Sequence, residues 1–231
     1  MLHDIIEALE TYQDLNRLDM GKQYHPTRMK IIGVTVPNEK KVLKEVRKLT
    51  HTFSPSEKIA LGIELVETGI FECQHIAYEY LGKDLTVMNE ISEKNINSLG
   101  KNLDNWVSVD GFSIYITGKA WQLNRIGIDK ILLYLSSDDH WIRRIAVVST
   151  VSLNLRSQGG KGDPEKTLNI CSRVVDDHHD MIVKALSWAL RELSKQNKDV
   201  VFDFLDTYEN KIHPKVKREV MNKLITGKKN I

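Results

Sequence analysis

Trp106 and Asp110 lie four residues apart in the stretch Leu103-Asp104-Asn105-Trp106-Val107-Ser108-Val109-Asp110, a spacing that sets one above the other on a single helix face. Leu103 and Val107 or Val109 can fill the apolar rows a helix turns inward, so an indole beside a carboxylate is unusual there. Alone, the pair is more simply a core tryptophan and an exposed aspartate that share a face by chance. A second set of residues gives it company. Ser137-Asp138-Asp139-His140-Trp141-Ile142-Arg143-Arg144-Ile145-Ala146 precedes the similar Asp177-His178-His179-Asp180-Met181-Ile182-Val183-Lys184-Ala185-Leu186 by 40 residues, and Lys215-Val216-Lys217-Arg218-Glu219-Val220 echoes the Met181-to-Leu186 stretch 34 residues on. In this register Arg144, Lys184 and Arg218 take the same place, and Trp188 lies one turn beyond Lys184. A row of cations at regular spacing suits the phosphates of a duplex backbone, whose binding releases counterions. The plainer alternatives are a solvated basic face or a site for an acidic protein.

The elements that must hold these residues read as helices throughout. Ile5, Ile6, Leu9, Tyr12 and Leu15 keep a helical period. Gly21 and Pro26 interrupt the next segment, so Met20 to Thr35 reads as broken helix or loop. Pro37 opens a helix with Val42, Leu43, Val46 and Leu49 as its apolar stripe. Ser54-Pro55-Ser56-Glu57 is a capping box with proline at the first helical position. Ile59, Ile63 and Val66 carry that helix to Gly69, and another runs from about Ile70 to Leu81, stopped at Gly82. Further helical patterns lie near 86–98, 102–116, 119–125, 128–135, 139–156, 165–175, 179–195, 199–208 and 214–226. Only Ile31-Ile32-Gly33-Val34 looks like a strand. The pitch of the internal echo matches stacked helix pairs, roughly 40–47 residues in HEAT and armadillo units and about 34 in tetratricopeptide units. The expectation is an all-α protein, a curved α-solenoid of antiparallel helix pairs (HEAT/ARM-like repeats) forming one domain over 1–231. One helix of each pair would line its concave side.

Composition narrows the partners. With 231 residues, 41% hydrophobic and 28% charged, the chain is an ordinary globular sequence able to bury a sizeable core. Its formal net charge is only +2, so a site for a polyanion must come from how charge is distributed. Cys73 and Cys171 fall in no metal or redox spacing. The N-terminal segment mixes acids into an amphipathic helix, unlike a signal peptide, and no apolar run approaches bilayer length. A cytoplasmic protein is expected, without metal and without membrane. Asp176-Asp177-His178-His179-Asp180 looks like a metal cluster, but adjacent residues cannot all converge on one ion, and helix capping accounts for it better. Arg156-Ser157-Gln158-Gly159-Gly160-Lys161-Gly162-Asp163 lacks the end of a nucleotide-binding P-loop. Its amides could cradle a phosphate, or it could be a connector before a helix start at Asp163-Pro164. Trp121 and Trp141 read as packing residues. Arg143 and Arg144 point about 100° apart on a helix, so only one can face a cleft.

Asn105-Trp106-Val107-Ser108-Val109-Asp110, Ser137-Asp138-Asp139-His140-Trp141-Ile142-Arg143-Arg144 and Lys184-Ala185-Leu186-Ser187-Trp188-Ala189-Leu190-Arg191-Glu192 resemble the signature segments of the AlkD-type DNA alkylation-repair glycosylases, which are built of HEAT-like repeats. Gly33-Val34-Thr35-Val36-Pro37 resembles that family's Gly-x-x-x-Pro lead-in to its second repeat. The likeness runs from about Ile31 to Leu224. It implies that Asp110 is the catalytic carboxylate, that Trp106 and Trp188 are the indoles lining the lesion cleft, and that Arg144 contacts the DNA backbone beside it. Arg143, Lys184, Arg218 and Lys161 are further candidates for DNA contact. The implied activity is removal of cationic N3- and N7-alkylated purines from double-stranded DNA, by a monomer with no metal or organic cofactor. The sequence departs from the family at its N-terminus. Active members have an unbroken second helix there whose tyrosine helps form the lesion site. Tyr24 is the nearest candidate, bracketed by Gly21 and Pro26. That departure leaves two rivals open, a DNA-binding relative without excision activity and a protein-interaction solenoid.

Overall fold

Where the sequence alternates apolar-periodic stretches with caps and breakers, the computed structural model, which describes residues 1–230, is helical. The chain packs as two compact units, Met1–Ile116 and a second from Thr117 onward. The all-α expectation holds. Among the described residues the β-structure is one isolated bridge, between Lys30 and Ile70, and no helix is long and apolar enough to cross a membrane.

The first unit contains α1 (Leu2–Glu10), α2 (Leu15–Tyr24), α3 (Val36–Leu49), α4 (Pro55–Glu67), α5 (Phe71–Gly82), α6 (Leu85–Glu90), α7 (Glu93–Leu99) and α8 (Trp106–Phe112). α5 packs on α3, α4, α6 and α8, which explains why its residues are buried almost all round. The capping box at Ser54 and Glu57 starts α4 as its sequence dictates. Three local expectations need correction. Gly21 does not break α2: it sits inside the helix with room for its neighbours, and the helix runs to Tyr24, just ahead of Pro26. The stretch 86–98 is two helices, because Ser92 caps α7 through a reciprocal box with Asn95. Leu49 ends the α3 stripe in solvent at 56% exposure, while Val42, Leu43 and Val46 are buried.

The strand-like run at 31–34 is neither helix nor strand and belongs to no sheet. Its amides are satisfied by a side chain: the buried Glu72 carboxylate, 2% exposed, accepts from the N–H groups of Ile32 (3.0 Å), Gly33 (2.7 Å) and Val34 (3.2 Å). Gly33 is in the left-handed region at φ +92°, and a Cβ there would lie 2.8 Å from both the Asp14 carbonyl oxygen and the Leu18 nitrogen. Only glycine lets the first turn of α2 come so near.

The second unit contains α9 (Gly118–Gln122), α10 (Ile128–Leu135), α11 (His140–Asn154), α12 (Pro164–Arg173), α13 (Asp180–Leu193), α14 (Lys198–Thr207) and α15 (Pro214–Thr226). α11, α13 and α15 begin at residues 140, 180 and 214, so the spacing of the sequence echo is the spacing of successive helix starts. α13 packs between α11 and α15, with α10 against α11, α12 against α11 and α13, and α14 against α13. This is a stack of helix layers in which the three longest helices, α11, α13 and α15, form one continuous row. Cys73 on α5 and Cys171 on α12 are free thiols, both fully buried. Burial pushes the Cys73 thiol up to about 12 and the Cys171 thiol higher still.

Candidate functional site

Asn105 starts α8 by accepting from the N–H groups of Val107 (3.1 Å) and Ser108 (3.0 Å). Trp106 is therefore the first helical residue, and Asp110, half-buried, lies one turn further along. Val109 is the fully buried apolar residue of this turn; Val107 is half-buried and Leu103 precedes the helix. α8 then runs on into a π-helical turn at Ser113–Thr117.

The Trp106 indole is 39% exposed, and its Nε1–H donates to the Tyr24 carbonyl at 3.3 Å. The end of α2 is thus tied to the start of α8. Three further contacts hold the two together. The Asp104 carboxylate accepts from the Thr27 hydroxyl (2.5 Å) and the Arg28 amide (2.7 Å). Burial works against its charge, but these donors outweigh it and hold the Asp104 pKa below the ordinary value. The His25 ring stacks on Phe71 at 4.7 Å and meets Trp106 edge-on at 6.4 Å. At the other end of α2 the amide of its cap residue Asp14 donates to the Gly33 carbonyl at 3.0 Å, and the Gly33 amide in turn donates to Glu72. The bracketing residues thus do not remove Tyr24 from Trp106. Its backbone touches the indole, while its ring is 73% exposed.

Beside Trp106 is a cavity of about 320 Å³, walled by α2, α3, α5 and the start of α8. His25, Glu39, Phe71 and His75 line it together with Trp106. His75 packs on Phe71 at 4.1 Å, and its Nδ1 lies 3.7 Å from a Glu39 oxygen. Burial first, and the neighbouring His75 second, lower the His25 pKa. None of Asp104, Glu72, His25 and His75 is singled out by sequence spacing.

In the second unit the three register-matched cations differ in environment. Arg144 on α11 is 5% exposed and donates to the Met181 carbonyl on α13. Lys184 on α13 is exposed and 2.6 Å from Asp180, whose other oxygen lies 3.4 Å from Lys215. Arg218 on α15 is exposed. Arg143 is committed to structure: its Nε is 2.9 Å from Asp177, and its Nη1 donates to the Ser137 (3.0 Å) and Asp138 (2.8 Å) carbonyls. Trp188 is half-buried on α13. Trp121 is buried, and Trp141 lies half-buried against His140.

The 176–180 cluster caps α13. His179 Nδ1 accepts from the Met181 amide, and Asp177 accepts from the His179 amide at 3.0 Å. The glycine loop is a connector. The amides of Gly159, Gly160 and Gly162 already donate to the carbonyls of Arg156, Leu155 and Leu153, and that of Asp163 to the Asn154 side chain. This leaves no run of free amides to cradle a phosphate. Asp163 and Pro164 then start α12. The loop is fastened from below by Lys119, nearly buried, whose ammonium donates to the Gln158 carbonyl (2.9 Å). Lys161 itself points to solvent.

An all-α chain with this helix stack matches the family model described as DNA alkylation repair enzyme over residues 5–224. The chain belongs to that family. The match includes the N-terminal segment. Among solved structures, a predicted DNA alkylation repair enzyme from Enterococcus faecalis is similar in fold, with a TM-score of 0.70 and 19% identity over 93% of this chain and 97% of that one. No curated protein sequence matches the chain significantly.

Proposed function

We propose that the protein is an N-glycosylase that excises cationic N3- and N7-alkylated purines from duplex DNA. Asp110 is the catalytic carboxylate, Trp106 and Trp188 present indole faces to the lesion, and Arg144 steadies the backbone beside it. Lys184, Arg218, Lys161 and Tyr24 are the further DNA contacts in this reading, Arg143 being engaged instead by Asp177 and two carbonyls, and neither metal nor organic cofactor takes part.

The observation that carries the proposal is the start of α8: a large indole is held in place by a backbone carbonyl, yet exposed, with a carboxylate one turn away. Alkylation at N3 or N7 places a positive charge on the purine and makes it a good leaving group without protonation. The two-carboxylate arrangement of ordinary glycoside hydrolysis is then unnecessary. One carboxylate near C1′ stabilises the oxocarbenium-like transition state and orients the attacking water. The aromatic faces add cation–π attraction of roughly 0.5–2 kcal/mol each.

The test is release of base from a duplex containing 7-methylguanine. Wild type is expected to release it, and Asp110→Asn to slow release by about 10²–10³-fold, the usual loss when one transition-state partner is removed. If wild type releases no more base than buffer, the glycosylase reading is wrong.

A further inference from the structure

We infer that Asp104 is a positioning residue for excision: its carboxylate clamps the exit of α2 to the start of α8 and so sets the direction in which the Trp106 indole faces the lesion. The inference rests on the glycosylase reading and adds to it a residue that acts through another.

Hydrophobic burial does not seat α2. Of its ten residues Gly21 alone is buried, and a helix with so little apolar face must be placed by contacts at its ends. At its C-terminal end those contacts close a ring. The Asp104 carboxylate accepts from the Thr27 hydroxyl (2.5 Å) and the Arg28 amide (2.7 Å), and the Tyr24 carbonyl accepts from the Trp106 Nε1–H (3.3 Å). The two bonds to Asp104 are short and charge-assisted, whereas the one to the indole is long and neutral. The carboxylate is therefore the member that holds the ring shut.

Both arms of the ring are short and stiff. Only His25 and Pro26 separate Tyr24 from Thr27. Proline fixes its own φ and restricts the residue before it, and the His25 ring is stacked on Phe71. On the other arm Asn105 alone stands between Asp104 and Trp106. It is fully buried, caps α8, and donates from Nδ2 to Asp104 (3.3 Å) and to the Ser108 hydroxyl (3.1 Å). A shift at Asp104 thus reaches the indole with little slack to absorb it. The indole is partly exposed, so packing alone does not set its direction.

The clamp has a kinetic signature. A reacting group misplaced by about 1 Å can cost about 10²-fold in rate, while duplex affinity comes chiefly from phosphate contacts. Loss of Asp104 slows the chemical step and leaves binding nearly intact.

The experiment uses the full chain. Single-turnover release of 7-methylguanine at saturating protein should slow by about tenfold or more in Asp104→Ala, while Kd for the same duplex stays within about twofold of wild type. Asp104→Asn, whose amide keeps an acceptor for Arg28 and a donor for Thr27, should recover most of the rate. In a Trp106→Phe background Asp104→Ala should slow release by less than about twofold further, since a residue acting through the indole has nothing left to act on. The indole is also followed directly. In protein labelled with 5-fluorotryptophan, the fluorine line that Trp106→Phe removes belongs to Trp106. That line should move or broaden in Asp104→Ala and return in Asp104→Asn. If Asp104→Ala fails to fold, Thr27→Val removes one donor of the clamp and should displace the same line with a smaller loss of rate. A folded Asp104→Ala that releases base at the wild-type rate, an undiminished loss in the Trp106→Phe background, or an unmoved Trp106 line overturns the inference. If wild type releases no base, the glycosylase reading fails, while a Trp106 line that moves in Asp104→Ala and returns in Asp104→Asn sustains the clamp on the indole.

Discussion

Glu72 shows how a single side chain can replace a strand partner. Three amides of the 32–34 segment point at its carboxylate, and none has a sheet to turn to. Leaving a buried donor unpaired costs about 1–3 kcal/mol, so Glu72→Ala should lower stability by about 3 kcal/mol or more in urea unfolding. Glu72→Gln, which keeps one acceptor oxygen, should lose less. A loss no larger than that of a surface substitution would show the segment to be held by its other contacts. The sequence reveals little of this. Glu72 is 40 residues from Ile32, and Asp104 is 77 from Thr27, and no local period links such pairs. Trp106 and Asp110 stand out because both sit on one short helix, where spacing and facing are the same thing.

At the level of elements, helix starts are the most legible feature, since caps and prolines act within one turn. Ser54-Pro55, Asp163-Pro164 and Pro214 each begin a helix where the residues say so. Breaks and continuations are harder, because neighbours decide them. Gly21 stays helical, and Ser92 divides what looked like one amphipathic run by capping a helix of its own. The sequence marks Gly33 only as part of a motif; the structure supplies the reason, a close approach to α2. Gly33→Ala meets two penalties, a left-handed backbone costing about 1–2 kcal/mol and contacts 2.8 Å from the first turn of α2. We expect a lower Tm and, because α2 carries Tyr24 to the Trp106 indole, weaker excision even at temperatures where the variant is folded. Unchanged excision by the folded variant would show that the placement of α2 does not matter to the site.

For the molecule as a whole, 33 basic and 31 acidic residues nearly cancel, so long-range attraction to DNA is weak and affinity must come from a few local cations. These are unequal. Arg143 is tied to Asp177 and two carbonyls, and Lys184 to Asp180, whereas Arg218 stands exposed on α15. If Arg218 neutralises a phosphate, Arg218→Ala should reduce the slope of log K against log salt by about 0.9, one contact's share. Arg143→Ala should instead appear as lost stability. Duplex affinity indifferent to salt would argue against a phosphate-tracking site. The repeat spacing that brought these cations to notice is legible over 40 and 34 residues because it tracks helix starts. Their individual exposure is not, since equal register does not mean equal neighbours.

The two buried thiols carry a last consequence. A thiolate is the strong nucleophile of the cysteine side chain, and the protonated thiol is a poor one. Cys73 and Cys171 are the chain's two cysteines, one in each unit, both shut away from solvent and both kept protonated by burial. Methylating electrophiles should therefore react with both thiols slowly until the protein unfolds, which thiol titration of the native and the denatured protein checks.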